Sequence, residues 1–248
     1  MKKYILTEET KEVNGIILHR IEAVMDFADV KAGDKGGWIE KEENLSHQGD
    51  AWVYGEACVS DSARVSGSAC VSGSACVSDS ARVSDSACVS GSACVSGSAW
   101  VSGSAWVSDS ACVSGSARVS DSACVSGSAW VSGSARVGGW ARVSGEADYI
   151  VFKNWWSSGR YFTWTRSNNM WRVGCFYGTG EELINKAYAD SEKSGREYER
   201  IVRYVESIKN EFGGRIQKAG RIHKVGKAGA RGQDLGNVAV REVWHCDQ

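Results

Sequence analysis

Two groups of residues in this chain have the types and spacing to bind an anion. Between positions 155 and 172, Trp155, Trp156, Trp164 and Trp171 are interleaved with Arg160, Arg166 and Arg172. Aromatic faces beside guanidinium groups suit stacking on a base while pairing its phosphate. The competing reading makes the same tryptophans the core of a small domain. The second group is Arg64, Arg82, Trp100, Arg118 and Arg136, each 18 residues from the next. A row of like charges repels itself, which favours a phosphate or acidic partner, and Trp100 adds a cation–π surface. The alternative is a solvated face. These two groups are the candidate ligand-binding site and a secondary anion-binding surface.

Catalytic chemistry is harder to find. Histidines stand at positions 19, 47, 223 and 245, so none falls in the long stretch between His47 and His223. Thiols such as Cys175 have no base visible beside them, and a thiol needs one to become a nucleophile. The nine cysteines lack CxxC spacing and a partner histidine, and read as reduced thiols rather than a metal site. No catalytic residue, metal or cofactor is assigned.

The elements that must hold these residues follow from a repeat. From Ala51 to Glu146 the sequence parses into hexads of the form A-x-V-S-(G/D)-S. A period of six is neither that of a helix nor that of a meander. It fits a short strand followed by a corner. Alanine and valine, two apart, share the inner face of the strand and x points out. Gly or Asp at the corner tolerates left-handed backbone angles. Three sides close a coil, and stacked coils pair at about 4.8 Å. Every third x then shares one outer face. One face carries Cys58, Cys76, Cys94, Cys112 and Trp130. The second carries the arginine row, and the third Trp52, Cys70, Cys88, Trp106, Cys124 and Arg142.

V-S-(G/D)-S-A-x resembles the hexapeptide repeat of left-handed parallel β-helices, a fold that many acyltransferases share. Those enzymes typically use a histidine base and a loop inserted between coils, and the hexads here have neither. The wider layout resembles uncharacterised hexapeptide-repeat proteins of phages and prophages in gut bacteria, through Gly36–Ser46 (GGWIEKEENLS) and Gly174–Glu182 (GCFYGTGEE). This resemblance implies a non-enzymatic scaffold or binding protein, interfering with host defence by sequestering a nucleotide signal or binding a host protein. The alternatives are an acyltransferase and a purely structural rod. Resemblance to trimeric β-helix proteins, together with exposed Trp and Cys edges, implies a homotrimer.

The fold class expected is mainly β: a left-handed parallel β-helix over 39–148, an N-terminal hairpin cap over 1–38, and a small α+β domain over 149–212. A basic, Gly-rich tail occupies 213–248 and offers nonspecific contact with nucleic acid. Val13-Asn14-Gly15 signals the hairpin turn. Ile39 and Leu45 lead into Val53 as a first, imperfect coil. In the α+β domain, Tyr149–Phe152, Arg160–Arg166 and Met170–Phe176 read as strands. Thr179-Gly-Glu-Glu182 reads as a capping box, and a second helix runs from Arg196 to Phe212. A formal charge of −1 gives no global pull toward nucleic acid or membrane. No apolar stretch is long enough to span a bilayer, which makes the cytoplasm the expected location, the host's if the chain is phage-encoded.

Overall fold

The computed structural model describes residues 2–222, with side chains described through Lys209. The hexads form a three-faced parallel β-solenoid of about six turns. Each hexad contributes a two-residue strand at x and Val, from Trp52–Val53 to Arg142–Val143. Cys58 pairs with Cys76, Arg64 with Arg82 and Cys70 with Cys88, so the 18-residue period is realised in every sheet. The alanines and valines of all sixteen hexads are buried. The coil is narrow because only these two small side chains point inward, and each Val stacks on the Val one coil away.

Coils are joined by backbone hydrogen bonds, for example Cys76 N to Ala93 O at 2.9 Å and Ser78 N to Val95 O at 3.0 Å. The corners carry either Gly or Asp, and both adopt positive φ, for example 67° at Gly91 and 58° at Asp79. Left-handed backbone costs an L-residue about 1–2 kcal/mol. Each corner Asp offsets that cost with its carboxylate. Asp79, Asp85, Asp109 and Asp121 accept the corner amide one coil above at 2.8–3.0 Å, an amide that a glycine would leave to solvent.

The first coil is built from the imperfect residues the sequence points to. Ile39 pairs with Val59, Leu45 bridges to Val65 and Val53 pairs with Val71. The hairpin strands Tyr4–Val13 and Ile16–Ala23 turn at Asn14 and Gly15, φ 52° and 81°. They extend the cysteine sheet beyond the first coil through Lys35–Ile39, which runs parallel to Cys58–Val59. The hairpin also caps the lower end. The buried Lys3 ammonium donates to Gly49 O and Ala51 O, Tyr4 OH to Leu45 O, and Asn44 Nδ2 to Ala63 O. The carbonyls of Leu45, Gly49 and Ala51 belong to the first coil and have none below them, while the Asn44 side chain serves Ala63 O from within that imperfect coil.

The upper end is closed by the residues after the hexads. Thr163 Oγ1 accepts Arg136 N at 2.9 Å, and Ser167 Oγ accepts Arg142 N at 2.7 Å. The Asp148 carboxylate accepts Ser144 N and Gly145 N. Thr163 belongs to a four-stranded antiparallel sheet of Tyr149–Lys153, Tyr161–Thr165, Met170–Val173 and Phe176–Gly178. The third expected strand is therefore two, because Gly174, at φ 61°, turns the chain between them. Helix α1 (Gly180–Asp190) starts at the expected capping box, where Thr179 Oγ1 and Glu182 exchange bonds with each other's backbone amides. Helix α2 runs from Glu192 to Ile222, longer at both ends than the Arg196–Phe212 reading. Glu192 starts it just past Ser191, and Gly213-Gly214 do not end it. The part of the tail beyond Ile222, with His223, His245 and Cys246, lies outside the described residues. The chain divides after Val202 into two compact units.

Departures from the hexad consensus mark where the caps dock. In AWVYGE, Tyr54 OH donates to Asp29, and Glu56 accepts from Arg20, Lys11 and Trp38. In ARVGGW, a Cβ on Gly139 would sit 1.9 Å from the Tyr177 hydroxyl, so only glycine admits the sheet there. Gly139→Asp, an ordinary corner residue elsewhere in the repeat, should cost about 1–3 kcal/mol through this overlap. Thermal unfolding of that variant and of Gly139→Asp/Tyr177→Ala checks it. The second substitution should recover most of the loss, and equal losses in both would contradict the account.

Candidate functional site

The solenoid register sets Arg64, Arg82, Trp100, Arg118 and Arg136 side by side along one face. Each is an x residue whose neighbours Ala and Val are locked inside, so its Cα position is fixed by the core. Trp100 stands between two cations. The Arg82 guanidinium lies 5.9 Å from its ring centroid, and that of Arg118 5.4 Å. The indole N–H donates to Ser84 Oγ at 3.2 Å, which ties the ring down across the strand below. Among the described residues, Arg64, Arg82 and Arg118 form no ion pair. Arg136 donates from Nη1 to Gly174 O at 2.9 Å, which leaves the rest of its guanidinium available.

The cap brings two more arginines to this face. Arg172 Nη1 reaches across to Asp121 Oδ2 at 2.8 Å, while Arg160 lies exposed against Gly174. Three surface grooves follow the row. One, of 370 Å³, is lined by Glu43, Ser46, Arg64, Ser66, Arg82 and Trp100. The next, of 260 Å³, is lined by Trp100, Ser102, Arg118, Asp121, Arg136 and Arg172. The last, of 310 Å³, is lined by Ser116, Arg118, Ser134, Arg136, Arg160 and Tyr161. Neighbouring grooves share Trp100, or Arg118 and Arg136, so they form one track. Two residues of the first candidate group thus join the second group in a single surface. Sequence reasoning kept them apart because the sheet's docking on the last coils leaves no local signal.

The remaining residues of the first group go elsewhere. Trp164 and Trp171 are 4% and 2% exposed, which removes them from any ligand surface. Their place is the core, since Trp171 packs beside Gly180 at the start of α1 and Trp164 Nε1 bonds Asn169. Thr163 and Thr165, on the other face of their strand, are buried as well. Trp155 and Trp156 stand out at 73% and 69% exposure in the loop after Lys153. That loop is shaped by buried Asn154, whose Oδ1 accepts the amides of Trp156 and Ser157. Arg166 is exposed and gives its amide to Asp148 O. These three residues line none of the three grooves. Trp52, expected on an outer face, is buried beneath Phe27 and Tyr4, ring centroids 5.3 and 6.0 Å away.

The other two faces are apolar. The eight described cysteines are free, and seven of them stand in the two columns the period predicts. Neighbouring thiols interact. A hydrogen bond with Cys58 holds the Cys76 thiol down to about 7, while burial pushes Cys70 up to about 11. Trp106 and Trp130 lie over these columns, their indoles tied to Ser90 and Ser114 yet 54% and 55% exposed. His47, at the lower end, stacks on Tyr4 with ring centroids 4.3 Å apart and accepts the Lys3 amide at Nδ1, a capping arrangement. No helix among the described residues is long and apolar enough to cross a membrane.

No family model matches the chain. It is similar to the "Uncharacterized acetyltransferase YdcK" of Escherichia coli (strain K12), 39% identical over 62 residues, which are 22% of this chain and 19% of that protein. The chain thus spans about a fifth of the length of this curated relative.

The Asp121 carboxyl ties the cap to the arginine track. The Gly139 amide and then Arg172 hold it below the usual aspartate range. A depressed folded pKa contributes stability above the unfolded value of about 3.9, and the contribution disappears as pH falls through the folded pKa. Asp121→Asn should therefore flatten the acid limb of thermal stability between about pH 4 and pH 2. Unfolding temperatures across that range check it, and an unchanged limb would show that the pair does not hold the cap.

Proposed function

We propose that the protein is a non-enzymatic binding scaffold whose ligand is an anion held on the arginine track. One observation carries this reading. Arg64, Arg82 and Arg118 are presented along one face of a rigid solenoid with Arg160 of the cap beside them, and among the described residues none of the four is paired with a carboxylate. Stacking cations this closely costs repulsion that a bound phosphate relieves, and guanidinium groups match phosphate oxygens in pairs. The finer reading, drawn from the phage resemblance, is interference with a host by sequestering a phosphate-bearing nucleotide signal or by binding a host protein. In that reading Trp155, Trp156 and Arg166 make a separate contact surface on the cap.

Titration with nucleoside triphosphates, cyclic nucleotides and inorganic phosphate by calorimetry and thermal shift tests the anion. Binding should weaken about three- to fivefold in Arg118→Ala, the size of an exposed charge pair. If no anion binds, the track is a solvated face and the reading fails. A pull-down from host lysate tests the protein partner.

A second reading has its own support in the similarity to a protein named as an acetyltransferase. It makes this chain an acyl-transfer enzyme. Against it stand the sixteen hexads, which run without an inserted loop and without a histidine to serve as base. Turnover of acetyl-CoA by the purified protein, with any amine or hydroxyl acceptor, would establish it over the scaffold.

Assembly belongs to the same proposal. Two faces carry Trp106, Trp130 and the cysteine columns, apolar surface that association would cover. The expected state is a homotrimer. Light scattering should give about three times the chain mass of 26.7 kDa, and the paired substitution Trp106→Ser/Trp130→Ser should lower it. A wild-type monomer at micromolar concentration would refute the trimer.

A further inference from the structure

The arginine track has a direction and a length, and these select among anions. Arg64, Arg82, Arg118 and Arg136 occupy the first, second, fourth and fifth strands of one five-stranded sheet, so the cations lie on a line parallel to the solenoid axis. Four coil steps at about 4.8 Å make that line about 19 Å long. Arg160 and Arg172 prolong it onto the cap. A mononucleotide or a cyclic nucleotide reaches only one or two of these positions. An anion that satisfies the whole row must be a linear polymer with charge along its length.

The lining then narrows the chemistry. Between the arginines the track presents serine hydroxyls, Ser66, Ser84, Ser102, Ser116, Ser120 and Ser134, each able to donate one hydrogen bond to a phosphate oxygen beside the guanidinium groups. It offers little to a base. Of its two aromatic rings, Trp100 already has a guanidinium from the strand on each side, and Tyr161 has the Lys153 ammonium 4.1 Å from its centroid. The well-exposed tryptophans, Trp106, Trp130, Trp140, Trp155 and Trp156, line none of its grooves.

We propose that this face is an axial site for a bare phosphate chain, of which inorganic polyphosphate is the simplest example, bound by Arg64, Arg82, Arg118, Arg136 and Arg160 with the intervening serines. The proposal rests on the reading of the track as an anion site and adds the shape of the anion.

Calorimetry on the full chain with pyrophosphate, triphosphate and long-chain polyphosphate tests it, with oligothymidylate of matched charge as the competitor bearing bases. Affinity should rise steeply with chain length and then level off once the polymer spans Arg64 to Arg160. Arg64→Gln and Arg160→Gln, at opposite ends, should each weaken long polyphosphate about three- to fivefold. Neither should alter pyrophosphate by more than about twofold on the same scale. Arg142→Gln, an exposed arginine on another face, should change neither. All three side chains project from the surface, and circular dichroism of the variants confirms that the solenoid is intact.

Pyrophosphate binding as tightly as the long chain would overturn the axial site while leaving an anion-binding scaffold in place. Oligothymidylate binding more tightly than polyphosphate at equal charge would overturn the bare-chain assignment, because bases would then contribute. Equal losses in Arg142→Gln would reduce the effect to net charge and overturn the site. Failure of every anion to bind would remove both this proposal and the reading beneath it.

Discussion

Everything in the solenoid depends on one constraint: a flat coil cannot satisfy its own backbone. Two-residue strands make no useful pairing within a turn, so the polar groups at x, Val and the corners must reach the coil above or below. That demand fixes the 18-residue register, because only identical coils place every donor over an acceptor. It also makes the two ends chemically different from the middle. The lower end meets carbonyls without partners and covers them with donors, Lys3, Tyr4 and Asn44. The upper end meets amides without partners and covers them with acceptors, Thr163, Ser167 and Asp148. The burial of Lys3 at one end and of Thr163 at the other has this single cause.

The same constraint separates what the repeat must keep from what it can vary. Ala and Val are fixed by the narrow interior, and the corner by its positive φ. Only x is free, and it sits on a surface whose spacing the backbone dictates. A substitution at x therefore changes surface chemistry without touching the fold. Columns of thiol, indole and guanidinium on a common frame are the result. The arginine column differs from the cysteine columns in nothing that the interior senses.

Much of this was legible in the sequence, and the reason is period. Eighteen divides the chain so regularly that the three columns, the inner valines and the positive-φ corners follow from counting. The hairpin turn at Asn14-Gly15 and the capping box at Thr179 were legible because each is a local motif with a local cause. What counting missed is contact between distant segments. Trp52 has the spacing of an outer residue but is covered by Phe27 and Tyr4, some 25 and 48 positions earlier. Trp164 and Trp171 have the spacing of a stacking surface but face the helices, since strand alternation does not say which side the helices take. Arg160 and Arg172 join the solenoid's arginines only because Gly138 and Gly139 let the sheet approach. Gly138, where the consensus has serine, was a readable signal beside the domain boundary.

The near-identity of successive coils has a consequence for how such a chain can change over generations. Removing or duplicating eighteen residues in the middle exchanges one coil for another that offers the same donors, acceptors and interior. Neither cap meets an unfamiliar neighbour. Unequal recombination between the repeated codons can thus lengthen or shorten the solenoid in whole coils, carrying one residue of each column with every step. The reach of the arginine row becomes a heritable quantity, adjustable in increments of about 4.8 Å, while both ends stay as they are.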